Sequence, residues 1–298
     1  MKYGIAIDSA RCMACYACFM ACKDEHCGWD TTVSKAQPHM GQFWMNIKEW
    51  ERGDNERRIK TATVPTPCSH CDHPACMAAA KDGAVYKRED GIVIIDPVKA
   101  KGQRQIVDAC PVGAVYWNEE EQIPQKCTMC AHLLDDPDYP GKEPRCVEAC
   151  PNQALIFGDL DDPNSEISKR IAQGKVTQLE CLGNQGSSVV HLNIPSRFLA
   201  GTVFLPAEEE EVAIGAHVKA TCECGTVFEM DTNWAGDWEF EDLPKNKKFT
   251  IEITMDGRPL RGGDLPRESV TSGGRGASPP AKDCPLPLGQ IASILLSA

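Results

Sequence analysis

The sequence has no long hydrophobic run, no surplus of positive charge and no motif of a nucleotide-binding or hydrolytic enzyme. No apolar stretch approaches the roughly 20 residues that a membrane helix needs, so we expect no direct membrane insertion. The formal net charge of −12 argues against nucleic acid as a partner, because nucleic-acid-binding domains carry basic patches. A P-loop, a dinucleotide fingerprint and a Gly-x-Ser-x-Gly motif are all missing. The sequence therefore offers no catalytic residue.

The first eight residues contain neither an apolar signal core nor a twin-arginine pair. Together with reduced thiols, this favours a cytoplasmic location. The alternative is export with a partner that carries a twin-arginine signal, because a folded subunit can travel on another chain's signal.

Cysteine, in contrast, is abundant, with seventeen residues in a chain of 298. The first group is Cys12-x2-Cys15-x2-Cys18-x3-Cys22, which is the spacing of bacterial ferredoxins. Three closely spaced thiolates on a tight loop can hold three irons of a four-iron cube, but that loop cannot reach the fourth iron. A distant cysteine must complete each site, so two such runs hold two clusters reciprocally.

The last group, Cys127-x2-Cys130-x15-Cys146-x3-Cys150, is the same run with a long insertion before its third cysteine. Reciprocal pairing of the first and last groups predicts two [4Fe-4S] sites. The ligands of site A are Cys12, Cys15, Cys18 and Cys150, and those of site B are Cys22, Cys127, Cys130 and Cys146.

The middle groups are incomplete. Cys68-x2-Cys71-x4-Cys76 and a distant Cys110 form a third complete set, site C. At the positions where the reciprocal set should stand, the chain has Ala80, Ala100, Gln103 and Ile106. All four ligands of that set are missing together, which predicts three clusters and a fourth position filled by apolar and amide side chains.

Other uses of the cysteines fit less well. Zinc sites need two separated pairs at tetrahedral spacing, and disulfides are unexpected without a signal peptide. The five remaining cysteines are interpreted as ordinary thiols: Cys27, Cys181, Cys222, Cys224 and Cys284. Four histidines near the cysteine loops are interpreted as outer or surface groups: His26, His70, His73 and His132. Lys126 either donates to a sulfur and offsets cluster charge or is simply solvated.

The remaining sequence predicts an α+β fold. Asp-Gly and acidic turns between apolar runs predict hairpins at 84–95 and 114–126, as in tandem ferredoxin-like modules, and a helix is expected near 165–174. We expect residues 1–198 to form the domain that binds three clusters, including a connecting segment at 159–198.

After residue 198, alternating apolar and polar residues predict an antiparallel β-sandwich or barrel that extends to residue 298. The stretch Gly236-Asp237-Trp238-Glu239-Phe240-Glu241-Asp242-Leu243 resembles transthyretin-like and collagen-adhesin-B-type β-domains. Such domains usually serve adhesion or docking. The Gly/Ser/Pro-rich stretch 272–281 is expected to be a mobile loop.

Residues 1–158 resemble the four-cluster electron-transfer subunits of molybdenum enzymes of the dimethyl sulfoxide reductase family. The narrower resemblance, along nearly the whole chain, is to the small subunits of pyrogallol–phloroglucinol transhydroxylase and resorcinol hydroxylase. The segments that carry these resemblances are 44–47, 68–76, 87–93, 96–102, 116–121 and 125–136.

The resemblance implies three [4Fe-4S] clusters here, and a molybdenum-bis-molybdopterin guanine dinucleotide on a large catalytic subunit that acts on phenols. The two subunits would form a heterodimer or a multimer of heterodimers, with a soluble electron carrier as a further expected partner. One alternative is the relay subunit of a respiratory reductase for sulfur, arsenic or sulfoxide compounds. Another is a docking subunit whose clusters are purely structural.

Overall fold

The structure, a computed structural model, describes residues 1–55, 58–205, 211–244, 247–259, 270–271 and 293–297. The chain divides into two compact units. The first contains residues 1–49 and 63–194, and the second contains residues 50–62 and the described residues from 195 onward. Short helices and strands are mixed along the chain, which confirms the α+β class. Within the described ranges, every helix is too short to cross a membrane.

The first unit is built from short elements. Its helices are α1 (Ala17–His26), α2 (Ala75–Ala79), α3 (Gln105–Asp108), α4 (Ala131–Asp135), α5 (Arg145–Glu148) and α6 (Glu166–Gln173), with a 3-10 turn at Glu180–Leu182. Its strands are β1 (Tyr3–Asp8), β2 (Met45–Asn55), β3 (Arg58–Pro67), β4 (Val85–Lys87), β5 (Val93–Ile95), β6 (Tyr116–Asn118), β7 (Ile123–Gln125), β8 (Leu155–Asp159), β9 (Val176–Thr177) and β10 (Val189–Leu192). The outer part of the β2–β3 hairpin, residues 50–62, is grouped with the second unit.

A four-stranded sheet in the order β8-β1-β10-β9 forms one side of the first unit. Strand β1 runs antiparallel to β8 and parallel to β10. Helix α6 covers this sheet, and its Ile167 packs with Ala6 and Leu192. The Ser165 hydroxyl caps the helix by accepting a hydrogen bond from the Ser168 N–H, at 3.2 Å. This helix confirms the prediction near 165–174.

Two small hairpins follow the cysteine loops, as the turn residues predict. Strand β4 pairs with β5, and β6 pairs with β7, both antiparallel. Helices α1 and α5 contact each other, and α2 and α3 do the same. The first unit therefore contains two copies of one plan, in which a pair of short helices lies beside β-structure. We call the copy with α1 and α5 the first module and the copy with α2 and α3 the second module.

The second unit consists of strands: β11 (Leu199–Phe204), β12 (His217–Cys222), β13 (Val227–Asp231), β14 (Asp237–Phe240), β15 (Lys248–Met255), β16 (Arg258–Pro259), β17 (Val270–Thr271) and β18 (Ser293–Ser297). They form two sheets, one in the order β14-β11-β18 and one in the order β13-β12-β15-β16 with β17 also on β15. Residues from both sheets, including Val203, Val218, Trp238 and Phe249, share one hydrophobic core.

The structure differs from the predicted antiparallel sandwich or barrel in two respects. Strand β18 pairs with β11 in parallel, at Ala200 opposite Ser293. Two parallel strands must be joined by a long connection, because a tight turn can join only antiparallel strands. Strands β11 and β18 are far enough apart in the sequence for such a connection. Among the described strands of this unit, the two sheets share no strand, so no closed barrel forms there. The loop expected at 272–281 lies outside the described residues.

Candidate metal centres

The structure brings the four cysteines predicted for site A together around one cavity. Cys12 and Cys15 lie in the loop that follows β1, Cys18 lies in the first turn of α1, and Cys150 follows α5. Ala14 and Tyr16 in the same loop have positive φ angles of 55° and 59°. Residues other than glycine rarely have such positive φ angles. The loop therefore has an uncommon backbone conformation, which turns the cysteines toward the cavity.

The cysteines predicted for site C line a second cavity. Cys68 and Cys71 lie between β3 and α2, Cys76 lies on α2, and Cys110 follows α3. The Ala114 N–H donates to the Cys110 sulfur at 3.4 Å, as the Ala154 N–H donates to Cys150 at 3.2 Å. The Cys-Pro-x-x-Ala repeat in the sequence thus gives the same hydrogen bond at both sites.

Site B is the most buried of the three. Burial raises the pKa of Cys22 and Cys146 well above the ordinary thiol value, and neighbouring thiolates add to the shift. Those neighbours are Cys127 and Cys130 for both residues, together with Cys22 for Cys146. All four predicted ligands of site B therefore lie together.

Two polar side chains that do not belong to the cysteine pattern contact the sulfurs of site B. His26 Nε2 lies 3.6 Å from the Cys130 sulfur, and Gln37 Nε2 lies 4.0 Å from the Cys22 sulfur. Both side chains are buried. Sequence reasoning placed His26 among the outer groups and missed Gln37, since no motif marks a lone glutamine 15 residues after Cys22.

A second layer lies behind site B. His132 Nε2 is 2.8 Å from a Glu25 carboxylate oxygen, and the other oxygen of Glu25 is 3.3 Å from Arg145. These groups tie α1 to the segments that carry Cys130 and Cys146. His73, in contrast, is exposed on the loop after Cys71.

The four positions without cysteine also converge. Ala100 and Ile106 are fully buried and share one apolar core with Ala80. Gln103 accepts a hydrogen bond from the Lys81 N–H at 2.8 Å and donates to the Lys99 carbonyl at 2.8 Å. A buried amide that is satisfied at both ends is stable in such a place. We call this set the filled position.

Cysteines of different sites lie close enough to influence each other's pKa. The Cys18 thiolate of site A is among the charges that raise the pKa of Cys146 in site B. The Cys68 thiolate of site C likewise raises the pKa of Cys127 in site B, after burial, to about 11. Site B therefore has a cysteine of site A and a cysteine of site C among its neighbours.

The donor set suits a cluster better than a single ion. Among the described residues, no three cysteine, histidine or acidic side chains are placed to hold one metal ion. The cysteines instead surround cavities, as ligands of a four-iron cube must. Burial raises the pKa of Cys18 and of Cys71 to about 12, so these thiols are neutral without metal. Coordination to a metal cation deprotonates a thiol, so these cysteines can bind cationic iron as thiolates.

The prediction of five ordinary thiols is wrong for three residues. Cys222 and Cys224 are joined by a disulfide, and Cys181 is disulfide-bonded. The tight turn after β12 brings the Cα atoms of the Cys222–Cys224 pair to 5.1 Å, within the normal range for a disulfide. Cys27 is a free thiol that donates to the Gln37 carbonyl at 3.5 Å. Cys284 lies outside the described residues.

Lys126 is buried, so the interpretation of a solvated lysine is wrong. Its ammonium donates to the carbonyl oxygens of Val93 and Cys127, the latter at 3.0 Å. It therefore bonds to the main chain, and its charge lowers the pKa of the Cys76 thiol of site C against the larger effect of burial.

Comparison with known proteins agrees with this geometry. Residues 59–160 match the family model of the 4Fe-4S dicluster domain. The chain is 37% identical over 267 residues to the small subunit of pyrogallol hydroxytransferase from Pelobacter acidigallici, covering 86% of this chain and 92% of that protein.

Two reductase subunits match a shorter part of the chain. A putative dimethyl sulfoxide reductase iron-sulfur subunit from Halobacterium salinarum is 34% identical, over 60% of this chain and 74% of that protein. A subunit of tetrathionate reductase from Salmonella typhimurium is 33% identical, over 58% of this chain and 64% of that protein.

Proposed function

The chain belongs to the family of iron-sulfur electron-transfer subunits that includes the small subunit of pyrogallol hydroxytransferase, and from that membership we propose that it holds three [4Fe-4S] clusters for a large molybdopterin subunit that hydroxylates or transhydroxylates phenols. The observation that carries the number three is the convergence of twelve cysteines into three groups of four, beside a filled position that has none.

The residues act as ligands and as a scaffold. The cysteines of sites A, B and C hold the clusters through their thiolates, and the reciprocal runs keep neighbouring sites on shared helices. When bound, the clusters supply one-electron storage and transfer. The chain's own contribution is burial, N–H donors toward sulfur and the buried charge of Lys126, which are the levers on reduction potential.

The match to the pyrogallol hydroxytransferase subunit supports the phenol assignment over a respiratory reductase. That match extends over 86% of this chain, whereas the two reductase subunits match 58–60% of it. The first module and the second module alone would serve either enzyme, so the support for the phenol assignment comes from the longer match. A cytoplasmic location fits this assignment.

Site A offers the contact with the large subunit. Cys15 is exposed, and Met13, Met20 and Phe43 of the same module are 59%, 61% and 42% exposed. Clusters of exposed apolar side chains are typical of a protein interface. We assign these three side chains to the contact with the molybdopterin subunit. Met20→Glu should reduce co-purification of the large subunit, while Val98→Glu, at a residue that is 81% exposed on the second module, should not.

We propose a cluster domain at 1–198 and a second domain at 199–298, and we propose that the two sheets described in the second domain pack as a sandwich. The single core shared by both sheets supports this packing. A docking role suits a domain that lacks any of the twelve ligand cysteines.

Iron analysis tests the proposal most directly. The complex, purified without oxygen, should contain about twelve irons on this chain, three reducible clusters and molybdenum on the large subunit. About four irons, or zinc in place of iron, would refute it. Clusters that stay oxidised throughout a reductive titration would favour a purely structural role.

A further inference from the structure

His70 lies in the loop between Cys68 and Cys71 and is fully buried. His70 lines the cavity of site C together with all four cysteines of that site. The backbone at His70 has a positive φ of 43°. Positive φ angles are uncommon in residues other than glycine, although Asn, Asp and His adopt them more often than most. The loop therefore fixes the backbone at His70, and with it the direction in which the side chain leaves the chain.

The hydrogen bond of one ring nitrogen fixes the proton on the other. The Val93 N–H donates to His70 Nδ1 at 3.0 Å, so Nδ1 has no proton of its own. A neutral imidazole with an acceptor at Nδ1 carries its proton at Nε2. The His70 Nε2 is therefore a donor.

That donor has no acceptor among the described residues, although it is buried. A buried N–H without a partner costs roughly 1–3 kcal/mol, so native proteins rarely leave one unsatisfied. The cavity that His70 lines is where we expect the acceptor to lie. A sulfur of a four-iron cluster is a hydrogen-bond acceptor that would occupy it.

We propose that the His70 Nε2–H donates a hydrogen bond to the cluster in site C and that His70 is a positioning residue which raises the reduction potential of that cluster. The proposal rests on the proposed function, because it requires a cluster on Cys68, Cys71, Cys76 and Cys110. A donor to sulfur stabilises the more negative, reduced state, so its removal lowers the potential.

The other sites differ from site C in this respect. The cavity of site A has no histidine in its lining. Near site B, the Nε2 of His26 already lies 3.6 Å from a cysteine sulfur. A change at His70 should therefore affect one cluster of the three, and this selectivity separates hydrogen bonding from a general loosening of the fold.

Two variants isolate the donor. His70→Asn keeps an acceptor near Nδ1 for the Val93 N–H and suits the positive φ, but it lacks the Nε2 end of the ring. His70→Gln keeps an amide that reaches farther, toward the place of Nε2. His73→Asn changes an exposed histidine on the same loop and serves as the matched control.

The experiment is a redox titration of the anaerobic complex, followed by electron paramagnetic resonance, with iron content measured on each sample. His70→Asn should keep its iron and shift the reduction equilibrium of the site C cluster roughly tenfold toward the oxidised form, which is about 59 mV for one electron. His70→Gln should shift it less, and His73→Asn should leave it unchanged.

Proton hyperfine spectra of the reduced wild-type cluster in H2O and D2O give a second readout. Besides the backbone N–H protons of Ala114 and His70 that face site C sulfurs, they should show one further exchangeable proton, which His70→Asn removes. Full iron with an unmoved site C potential would overturn the inference while the proposed function stands, as would a shift at site B alone. If His70→Asn loses iron, the wild-type spectra decide, and the absence of any exchangeable proton beyond those of the backbone N–H donors overturns the inference. Only about eight irons in the wild type would instead refute the third cluster itself.

Discussion

The two ends of the second module follow one plan and differ in what occupies them. At one end Cys68, Cys71, Cys76 and Cys110 surround a cavity. At the other, Ala80, Ala100 and Ile106 close into an apolar core that Gln103 ties to the backbone. The module therefore keeps its helices and hairpins either around a cluster or around ordinary side chains. Packed side chains can therefore fill the space that a cluster would occupy, provided that the buried amide of Gln103 has hydrogen-bond partners.

The largest effect is expected at Cys110. Cys110→Ala should reduce iron from about twelve to about eight per chain, because the site C cube would lose one of its four thiolate ligands. Iron analysis of anaerobic protein measures the loss. Cys27→Ala is the control, since this free thiol bonds only to carbonyl oxygens. Unchanged iron in the Cys110 variant would refute the assignment of site C.

The reverse change would convert the filled position into a site. A chain with Ala80→Cys, Ala100→Cys, Gln103→Cys and Ile106→Cys should gain about four irons after reconstitution. The variant that keeps Ile106 but carries the other three changes should gain none, because it lacks one ligand. Equal iron in the two chains would show that the filled position no longer has the geometry of a cluster site.

Ile106→Ala should destabilise the filled position without touching iron. The side chain is fully buried among Ala84, Ala100 and Val115, and its truncation leaves a cavity that costs about 2–5 kcal/mol. Anaerobic thermal unfolding should show the lower midpoint. Val98→Ala, at an exposed residue, should leave the midpoint unchanged. Iron loss in the Ile106 variant would mean that the two ends of the module are coupled.

Gln103→Leu should have a smaller effect. The change removes the partners of the Lys81 N–H and the Lys99 carbonyl, at a cost of roughly 1–3 kcal/mol. Gln105→Ala removes only the single bond of its amide to Gln103 and should cost less. Chemical unfolding measures the loss of stability in each variant. A larger loss in Gln105→Ala than in Gln103→Leu would show that the hydrogen bonds of Gln103 to the backbone do not stabilise the filled position.

Local patterns could be predicted from the sequence, and long-range contacts could not. The two hairpins and helix α6 follow from turn residues and periodicity within about ten residues. The cysteine groups follow from reach, which is also a local constraint on each loop. The ligand sets could therefore be predicted from the spacing of the cysteines along the chain.

Contacts between distant segments cannot be predicted from a local sequence pattern. The parallel pairing of β1 with β10 joins Ile5 to Val189, and nothing near either residue specifies it. Gln37 beside Cys22 depends on how a loop without a motif folds back over α1. The Cys222–Cys224 disulfide was missed for a different reason, because two residues of separation gave no indication that the turn would bring the sulfurs together.

Helix α1 carries Cys18 for site A and Cys22 for site B, one turn apart. Inserting or deleting a single residue between them would swing one thiol about 100° around the helix axis, so this interval has no freedom to change in length. The fifteen residues between Cys130 and Cys146 are under no such restraint, since α5 alone sets the direction of Cys146. Related chains should therefore vary in length between α4 and α5 and keep one fixed count within α1.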